Sequence, residues 1–391
     1  MPWWQIFLGS GLSGLDERWC IMNPFKYGSI VLGRDFCGRK DLLNQITRHM
    51  QSSQNTVFFG ERRIGKSSLV YEAVRKLRGT HILYMDLLGI KSTDALCKRM
   101  LRAIVTLEKR LSWVTKMIKT LSHLRPTITT DPVTSMPIIS FDASVELKVN
   151  SIQEVLDLIE SISKKKQFVV VFDEFQDILK INDASEAIAL LRSKIQFHSN
   201  IPYVFVGSIR HKMDEIFTSP NSAFFKSAIP ISVDPLPYEE FSKFLIKKFE
   251  SGQRKVLGET LKQVFEIASN ITGDVQQLCE TLWEVTPEGD TVSSDKLKAA
   301  LELIFSREQK SYEAFVSLLT DFQLKCLSAL AREGGRRIYS MDFVKAVGPH
   351  SSASVNRAMT RMIDINILYK REKEIRFVNP FFKAWLLPRG R

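Results

Sequence analysis

An eight-residue run, Gly60-Glu61-Arg62-Arg63-Ile64-Gly65-Lys66-Ser67, matches the pattern G-x-x-x-x-G-K-[ST] in every fixed position. An apolar, β-prone segment, Thr56–Phe59, precedes it, and residues 68–77 follow it with apolar side chains at helical spacing. A strand, a loop and a helix in this order turn backbone N–H groups and a helix N-terminus towards an anion. The run therefore predicts a polyphosphate-binding loop, and the alternative is a glycine-rich turn with a solvated lysine.

The lysine and the serine of this loop have separate predicted roles. Lys66 is expected to reach the β- and γ-phosphates of a nucleoside triphosphate, and Ser67 is expected to hold Mg²⁺. ATP and Mg²⁺ are thus the predicted cofactors. The residues predicted to contact the nucleotide in this segment are Gly60, Glu61, Arg62, Arg63, Ile64, Gly65, Lys66, Ser67 and Ser68.

Two carboxylates follow a second apolar run. Phe168–Phe172 reads as a buried strand, and Asp173 and Glu174 come directly after it. A strand that ends beside the loop would let Asp173 bind Mg²⁺ directly or through water, while Glu174 polarises the attacking water. The alternative is a solvated turn, which the loop about a hundred residues upstream makes less favoured.

Weaker candidates surround these two motifs. Ser208 follows the apolar run Tyr203–Val206 and occupies the position that in AAA+ ATPases contacts the γ-phosphate or water, so it is a third predicted catalytic residue. Arg39, in Gly38-Arg39, is similar to the arginine of a box that lines an adenine pocket, or it is an exposed residue at a helix start. Candidates for an arginine finger supplied in trans are Arg210, His211, Lys212 and Lys226.

Composition indicates the class of protein and of partner. The chain has 391 residues, 44% hydrophobic, and a formal net charge of +12. Residues 301–391 hold 16 Lys and Arg against 9 Asp and Glu, more than half of the excess. This favours polyanionic partners, nucleic acid first. Five scattered cysteines without a C-x-x-C pair favour a reducing, cytoplasmic location. No apolar run reaches the length of a membrane span, so no membrane partner is predicted.

Periodicity predicts an α/β fold with further domains. Five apolar runs, at residues 56–59, 82–86, 168–172, 203–206 and 229–233, alternate with helical patterns and predict a five-stranded parallel sheet. The predicted domains are an uncertain N-terminal extension at 1–21, a P-loop core at 22–235 with an insert at about 92–150, a helical lid at 236–308 and a winged helix at 309–391. Met22 is an alternative start of the chain.

The last domain carries a predicted DNA interface at residues 340–378. Val355–Asn366 reads as a helix with one apolar face, and its other faces carry short polar and guanidinium groups that can reach base edges or phosphates. Two strands around a tight turn form a wing with basic residues for phosphate contact. The alternative is a winged helix that docks a protein. The predicted DNA contacts are Ser354, Asn356, Arg357, Thr360, Arg361, Lys370, Arg371, Lys373 and Arg376.

Together these motifs resemble the archaeal/bacterial ATPase family, which lies among the STAND and AAA+-like P-loop proteins, near the archaeal origin-recognition ATPases. The resemblance covers roughly residues 22–387. It implies ATP binding, slow hydrolysis and a nucleotide-controlled change between the core, lid and winged helix. The chain departs from the family pattern at one position. Related AAA+ proteins have a sensor-2 arginine at the start of a lid helix, whereas this chain has Gly273-Asp274 there and no arginine.

The sequence therefore predicts an Mg-dependent ATPase that acts as a nucleotide-controlled switch on a DNA-binding winged helix. A non-hydrolysing, ATP-bound module that docks a protein partner is the alternative, and the absent arginine favours it. The predicted partners are ATP or ADP and double-stranded DNA, with a protein partner and ATP-dependent oligomerisation left open. A nuclease lacks support, since no further Asp/Glu/Lys constellation is evident.

Overall fold

The computed structural model of this protein describes residues 22–107, 126–130, 137–141, 147–338, 340–348 and 351–387. The predicted extension at residues 1–21 lies outside these ranges. So do residues 108–124 of the helix that the sequence predicts over residues 92–124. No helix within them is both long and apolar enough to cross a membrane.

The first part of the chain alternates strands with helices, as the apolar runs predict. Its strands are β1 (Thr56–Phe59), β2 (His81–Asp86), β5 (Phe168–Asp173), β6 (Tyr203–Gly207) and β7 (Ile229–Ser232). Its helices are α1 (Lys40–Gln51), α2 (Lys66–Lys76), α3 (Thr93–Leu107), α4 (Val149–Ser163), α5 (Ala184–Ile195) and α6 (Arg210–Phe217).

These five strands form one parallel sheet in the order β2-β5-β6-β1-β7. Parallel strands bring all their carboxyl ends to one edge, where α/β proteins bind ligands. The register sets Phe59 of β1 beside Gly207 of β6, and Asp86 of β2 beside Asp173 of β5. The segments that follow β1, β5 and β6 are therefore neighbours, and the segment after β6 lies between the other two.

Each inner strand contributes alternate side chains to two separate cores. Val170 and Phe172 join one cluster with α3 to α6, whereas Val169 and Val171 join another with α1 and α2. Helices thus cover both faces of the sheet, which is why its inner strands are continuously apolar rather than alternating.

The predicted insert contains an antiparallel hairpin. Its strands are β3 (Pro126–Thr130) and β4 (Pro137–Phe141), and Ile128 pairs with Ile139. The sequence left open a hairpin or a loose insert, and the structure shows the hairpin.

A helical lid follows the sheet. It contains α7 (Tyr238–Glu250), β8 (Lys255–Val256), α8 (Gly258–Ile267), α9 (Thr272–Val285), β9 (Thr291–Val292) and α10 (Ser294–Ser317). The prediction that α10 ends at residue 308 was wrong, because amphipathic spacing continues and buries Tyr312. The predicted boundary between lid and winged helix, 308/309, therefore falls inside one helix. The Gly273-Asp274 pair predicts the opening of a helix by a cap, but the N-cap of α9 is Ile271 and both residues lie in its first turn.

The remaining elements have the order of a winged helix. They are α11 (Asp321–Glu333), α12 (Met341–Val347), α13 (Ser352–Asp364), β10 (Leu368–Arg371), β11 (Glu374–Phe377) and α14 (Pro380–Leu386). Ser340 caps α12, since its side chain accepts a hydrogen bond from Phe343 N.

One apolar core joins the lid to the winged helix. Trp283 of the lid belongs to the same buried cluster as Phe382 and Trp385 of α14. Tyr312, in the second half of α10, lies 5.3 Å from the ring centre of Phe382 and 5.4 Å from that of Trp385. The long helix thus packs in both parts at once, and the lid and winged helix are held together by shared packing.

Candidate functional site

The loop between β1 and α2 needs its two glycines for geometric reasons. A Cβ atom added at Gly60 would lie 2.7 Å from the backbone oxygen of Val233, so only glycine fits beside the end of β7. Gly65 has a φ of 92°, in the left-handed region that favours glycine, and it forms the N-cap of α2. The backbone therefore bends so that Lys66 is the first residue of the helix.

Lys66 lies inside this bend. Its side chain is buried, and Nζ donates hydrogen bonds to the carbonyl oxygens of Gly60 at 2.9 Å and Glu61 at 2.7 Å. Burial lowers the pKa of Lys66 to about 8, against the opposing effect of the Glu174 and Asp173 carboxylates. An ammonium group is thus held within the loop at the N-terminus of α2, where an anion is favoured.

Ser67 and Asp173, the two predicted metal ligands, are in contact. Ser67 Oγ donates a hydrogen bond of 2.6 Å to Asp173 Oδ2, and the hydroxyl of Tyr84 donates to the same oxygen. The backbone N–H of Glu174 donates to Asp173 Oδ1 at 2.9 Å. Burial, and then the Asp173 charge, raise the pKa of Tyr84.

This pair of oxygen donors fits Mg²⁺ of the kind that nucleotides bring. Such an ion takes one or two protein oxygens and completes its shell with water and phosphate. Within the described ranges no group of three or more His, Cys, Asp or Glu residues gathers as a metal cage. The donor set therefore fits a shared magnesium ion better than a permanent metal centre.

The predicted water-activating and sensing residues also meet. Ser208 Oγ donates to Glu174 Oε2 at 2.7 Å, and Arg62 Nε donates to Ser208 Oγ at 3.3 Å. Gln176, fully buried, donates from Nε2 to the same Glu174 oxygen and accepts from the backbone N–H of Ser208 at 3.3 Å. Glu174 itself has a left-handed φ of 49°. The carboxylate is thus fixed on both sides, beside the residue that follows β6.

Arg39 and Ser68 form hydrogen bonds that connect the loop and α2 to neighbouring segments. The guanidinium of Arg39 donates to the carbonyl oxygens of Ile64 at 2.8 Å and Asp234 at 2.9 Å, and burial lowers its pKa to about 10. Ser68 is buried in α2, and its Oγ accepts a hydrogen bond from the backbone N–H of Val31. Both residues hold the loop to neighbouring segments, and an adenine contact by Arg39 stays a prediction.

Two loop side chains are bound to other parts of the protein. Arg63 Nη1 lies 2.7 Å from Asp274 Oδ1 of α9, and Arg63 Nη2 donates to the carbonyl oxygen of Val378 at 2.9 Å. Glu61 Oε1 accepts from Arg371 Nη1 of β10 at 2.9 Å. Glu61 and Arg63 were predicted to contact nucleotide, but in this structure their side chains connect the loop to the lid and the winged helix.

Asp274 is the buried member of this junction. Its side chain is 1% exposed, and neither carboxylate oxygen accepts a hydrogen bond of good geometry from the described residues. Burial therefore raises the pKa of Asp274 to about 7, and this outweighs the opposing charge of Arg63. Glu308 on α10 adds to the rise.

The finger candidates lie at the surface. Arg210, His211 and Lys212 begin α6, where Arg210 Nε is 3.8 Å from Asp214 Oδ2. Lys226 lies over the ring of Phe225. The structure describes one chain, so a role in trans stays a prediction for all four.

Some of the predicted DNA contacts are exposed, and others are bound within the protein. On α13 the apolar residues are buried, while Asn356, Arg357, Thr360 and Arg361 are exposed. In the wing, Lys370 and Lys373 are exposed, whereas Arg371 is bound to Glu61 and Arg376 to Glu374.

Sequence reasoning missed Tyr84, Gln176 and the partners of Arg63. Tyr84 lies within β2 and reaches Asp173 only because β2 pairs with β5. Gln176 follows Glu174 by two residues, and that proximity to the carboxylates was the only signal for it in the sequence.

Two family models match the chain. A model described as an ATPase domain predominantly from Archaea matches residues 36–280, and one described as a probable winged helix domain matches residues 310–388. No curated protein sequence matches the chain.

Solved structures match over almost the whole length. The chain is similar to a Walker-type ATPase of Pyrococcus abyssi (18% identity, TM-score 0.61, covering 90% of this chain and 96% of that chain). It is also similar to the Orc1 protein of Aeropyrum pernix in complex with DNA (12% identity, TM-score 0.51, 90% and 93% covered). The Orc2 protein of the same organism, solved with ADPNP and ADP, has the same identity and TM-score, with 90% and 92% covered. At these identities the likeness shows the fold alone.

Proposed function

We propose that this chain, which belongs to the family of ATPase domains found predominantly in Archaea, binds and hydrolyses Mg-ATP and thereby controls a DNA-binding winged helix. The observation that carries the proposal is the 2.6 Å contact between Ser67 Oγ and Asp173 Oδ2, directly beside the buried ammonium of Lys66. A phosphate-binding loop, two oxygen ligands for Mg²⁺ and a water-activating carboxylate would thus lie at one edge of the sheet.

The loop residues would bind the triphosphate. Lys66 would exchange its two carbonyl partners for phosphate oxygens, and the N–H groups at the start of α2 would donate to the same anion. Ser67 and Asp173 would hold Mg²⁺, which when bound offsets negative charge on the β- and γ-phosphates. Arg39 would keep the loop in position through the Ile64 carbonyl.

Hydrolysis would depend on the carboxylate of Glu174. Glu174 would orient a water and accept its proton, and Ser208 would keep that carboxylate in place or contact the γ-phosphate. In this structure Ser208 and Gln176 already bind the same Glu174 oxygen. These two donors would hold the carboxylate in position, so that its other oxygen, Oε1, could face a water.

Steady-state phosphate release by the wild type and by Glu174→Gln tests hydrolysis. The variant keeps the shape of the side chain but cannot take a proton, so turnover should fall about a hundredfold or more, while fluorescent-ATP affinity should stay close to that of the wild type. Glu186→Gln, which changes a surface glutamate on α5, is the matched control. Equal rates of phosphate release in all three proteins would show that Glu174 takes no part in ATP hydrolysis.

DNA binding rests on the exposed polar face of α13 and on the positive C-terminal part of the chain. One structural neighbour, the Orc1 protein, was solved in complex with DNA. Arg357 and Arg361 are exposed and lie one helical turn apart, so both are on the same face of α13 and could reach DNA together. In the full chain, Arg357→Ala with Arg361→Ala should weaken binding of duplex DNA. Undiminished binding would remove α13 from the interface.

A second function has its own support. Asp274 stands where a sensor-2 arginine is expected, and Arg371 of the wing is bound to Glu61. These contacts suit an ATP-bound module with negligible turnover whose winged helix docks a protein. A wild type that binds ATP, releases phosphate only at the Glu174→Gln rate and shifts no DNA at low salt would favour it. The lid boundaries, an oligomer formed on ATP binding and a cytoplasmic location stay predictions.

A further inference from the structure

A basic cleft lies between the winged helix and the lid, away from α13. Its volume is about 760 Å³, and its cationic lining comes from the segment after α11 and from the wing. The cationic residues that line it are Arg336, Arg337, Arg371, Lys373 and Arg376. Glu372 and Glu374 are the acidic residues in the same lining, so positive charge exceeds negative.

Gly335 brings the first two arginines against the wing. Its carbonyl oxygen accepts a hydrogen bond from Ile375 N at 3.1 Å, and a Cβ atom added there would lie 1.7 Å from the Ile375 carbonyl oxygen. Only glycine permits this approach. Arg336 and Arg337 follow directly and are exposed, so they extend the basic surface of the wing to residues that the sequence did not suggest.

The lid and the segment before it also contribute to the lining, with apolar residues (Pro235 and Leu236) and with polar ones. Ser269 and Asn270 line the cleft from a turn in which both have left-handed φ angles, 53° and 59°. Tyr238, the first residue of α7, lines it as well. The lining therefore combines hydroxyl and amide groups with cationic ones around an open space much larger than a single ion.

Part of the cationic charge is not neutralised within the protein. Arg376 pairs with Glu374 at 2.6 Å, and Arg371 pairs with Glu61 at 2.9 Å. The contact of Arg336 with Glu374 is long, at 3.8 Å, and Arg336 is 81% exposed. Arg337 has no ion pair with a described residue. An open cleft lined by exposed, weakly paired or unpaired guanidinium groups and by hydroxyl and amide groups suits a chain of phosphates.

We infer that this cleft binds the sugar–phosphate backbone of DNA, so that DNA contacts the lid–wing junction as well as α13. This inference rests on the proposed function, because it takes DNA as the ligand of the winged helix. Phosphate contacts of this kind fix the position of a duplex without reading its sequence. They also make its affinity depend steeply on salt.

The test uses the full chain with Arg336→Gln and Arg337→Gln, neither of which contacts the P-loop. Fluorescence anisotropy of a labelled duplex should show about tenfold weaker binding at low salt. The slope of log affinity against log salt should fall by about 0.9 for each lost contact. Arg78→Gln with Lys91→Gln removes two exposed charges from the ATPase core and should leave both quantities nearly unchanged.

The outcomes separate this inference from the proposed function. Equal DNA affinity and salt slope in the cleft variant and the core control, with a wild type that binds the duplex, would overturn the cleft alone. A wild type that binds no duplex at low salt would overturn both the cleft and the DNA half of the proposed function. Fluorescent-ATP binding by the cleft variant at the wild-type level would show that the protein is folded.

Discussion

The Nη1 atom of Arg63, within the loop from Gly60 to Ser67, lies 2.7 Å from Oδ1 of Asp274, near the start of the lid helix α9. The resemblance to AAA+ proteins leads one to expect an arginine from this helix to approach the phosphates. Here the carboxylate belongs to the lid and the arginine to the loop. The loop and the lid are therefore joined by an ion pair with the charges exchanged.

The buried position of Asp274 predicts a pH effect on stability. Its pKa is raised from 3.8 to about 7, so folding favours the protonated form. The contribution of Asp274 to stability is most favourable below pH 4, falls as the pH rises towards 7 and levels off above. The fall is on the order of 4 kcal/mol, at about 1.36 kcal/mol per pKa unit. Asp274→Asn should remove this dependence.

Thermal unfolding midpoints of the wild type and Asp274→Asn between pH 4 and pH 8 measure the difference. The variant should gain relative to the wild type as the pH rises. Arg63 and Glu308 face Asp274 and are present in both proteins, so their own titration contributes nearly equally to the two pH profiles. Parallel pH profiles would contradict the raised pKa.

Glu61→Gln should loosen the wing from the loop. The change removes the charge that binds Arg371 Nη1 at 2.9 Å. Backbone hydrogen exchange in β10 should become faster because local opening costs less. Glu372→Gln alters the neighbouring, exposed glutamate in the wing turn and should leave exchange at the wild-type rate. Identical exchange in all three proteins would mean that the ion pair does not restrain the wing.

Ser208→Ala should slow hydrolysis without weakening ATP binding. The serine hydroxyl donates to Glu174 Oε2 and accepts from Arg62, so its loss frees the carboxylate from one of its two side-chain donors. The kcat should fall about ten- to a hundredfold. Ser199→Ala, at an exposed position, is the control. An unchanged kcat would remove Ser208 from the catalytic group.

Gly60→Ala should damage the loop through crowding. The added methyl group would lie 2.7 Å from the Val233 carbonyl oxygen, which is backbone and cannot move aside easily. Overpacking of this kind costs about 1–3 kcal/mol, so the unfolding midpoint and ATP affinity should both fall. Gly258→Ala adds a methyl group with no atom within 4 Å and should be neutral. A Gly60→Ala protein with wild-type stability and ATP affinity would contradict the tight fit.

The sequence predicted what fixed spacing and periodicity encode. The loop and the five strands were found because apolar runs flank a patterned motif, and Asp173 because it ends one of those runs. The meeting of Arg63 with Asp274 could not be predicted, since it depends on how the lid closes over the sheet. The same holds for Tyr84, whose hydroxyl reaches Asp173 only through the pairing of β2 with β5.

The extent of α10 shows a second limit. No proline or glycine between residues 308 and 317 breaks the helix, so the predicted domain boundary at 308/309 has no local sequence signal. The position of Tyr312 in the shared core, against Phe382 and Trp385, explains why the helix continues. The amphipathic spacing continues through Tyr312, but the distant segment against which that residue packs cannot be identified from the spacing.

The central claim is that the loop from Gly60 to Ser67 holds the phosphates of ATP, and fluorescent-ATP titration of Lys66→Ala tests it most directly. Lys66 is the one ammonium group that hydrogen-bonds inside the described loop, so the variant should lose nearly all measurable binding. Lys76→Ala, at the far end of the same helix, should bind as the wild type does. Undiminished binding by Lys66→Ala would contradict the account.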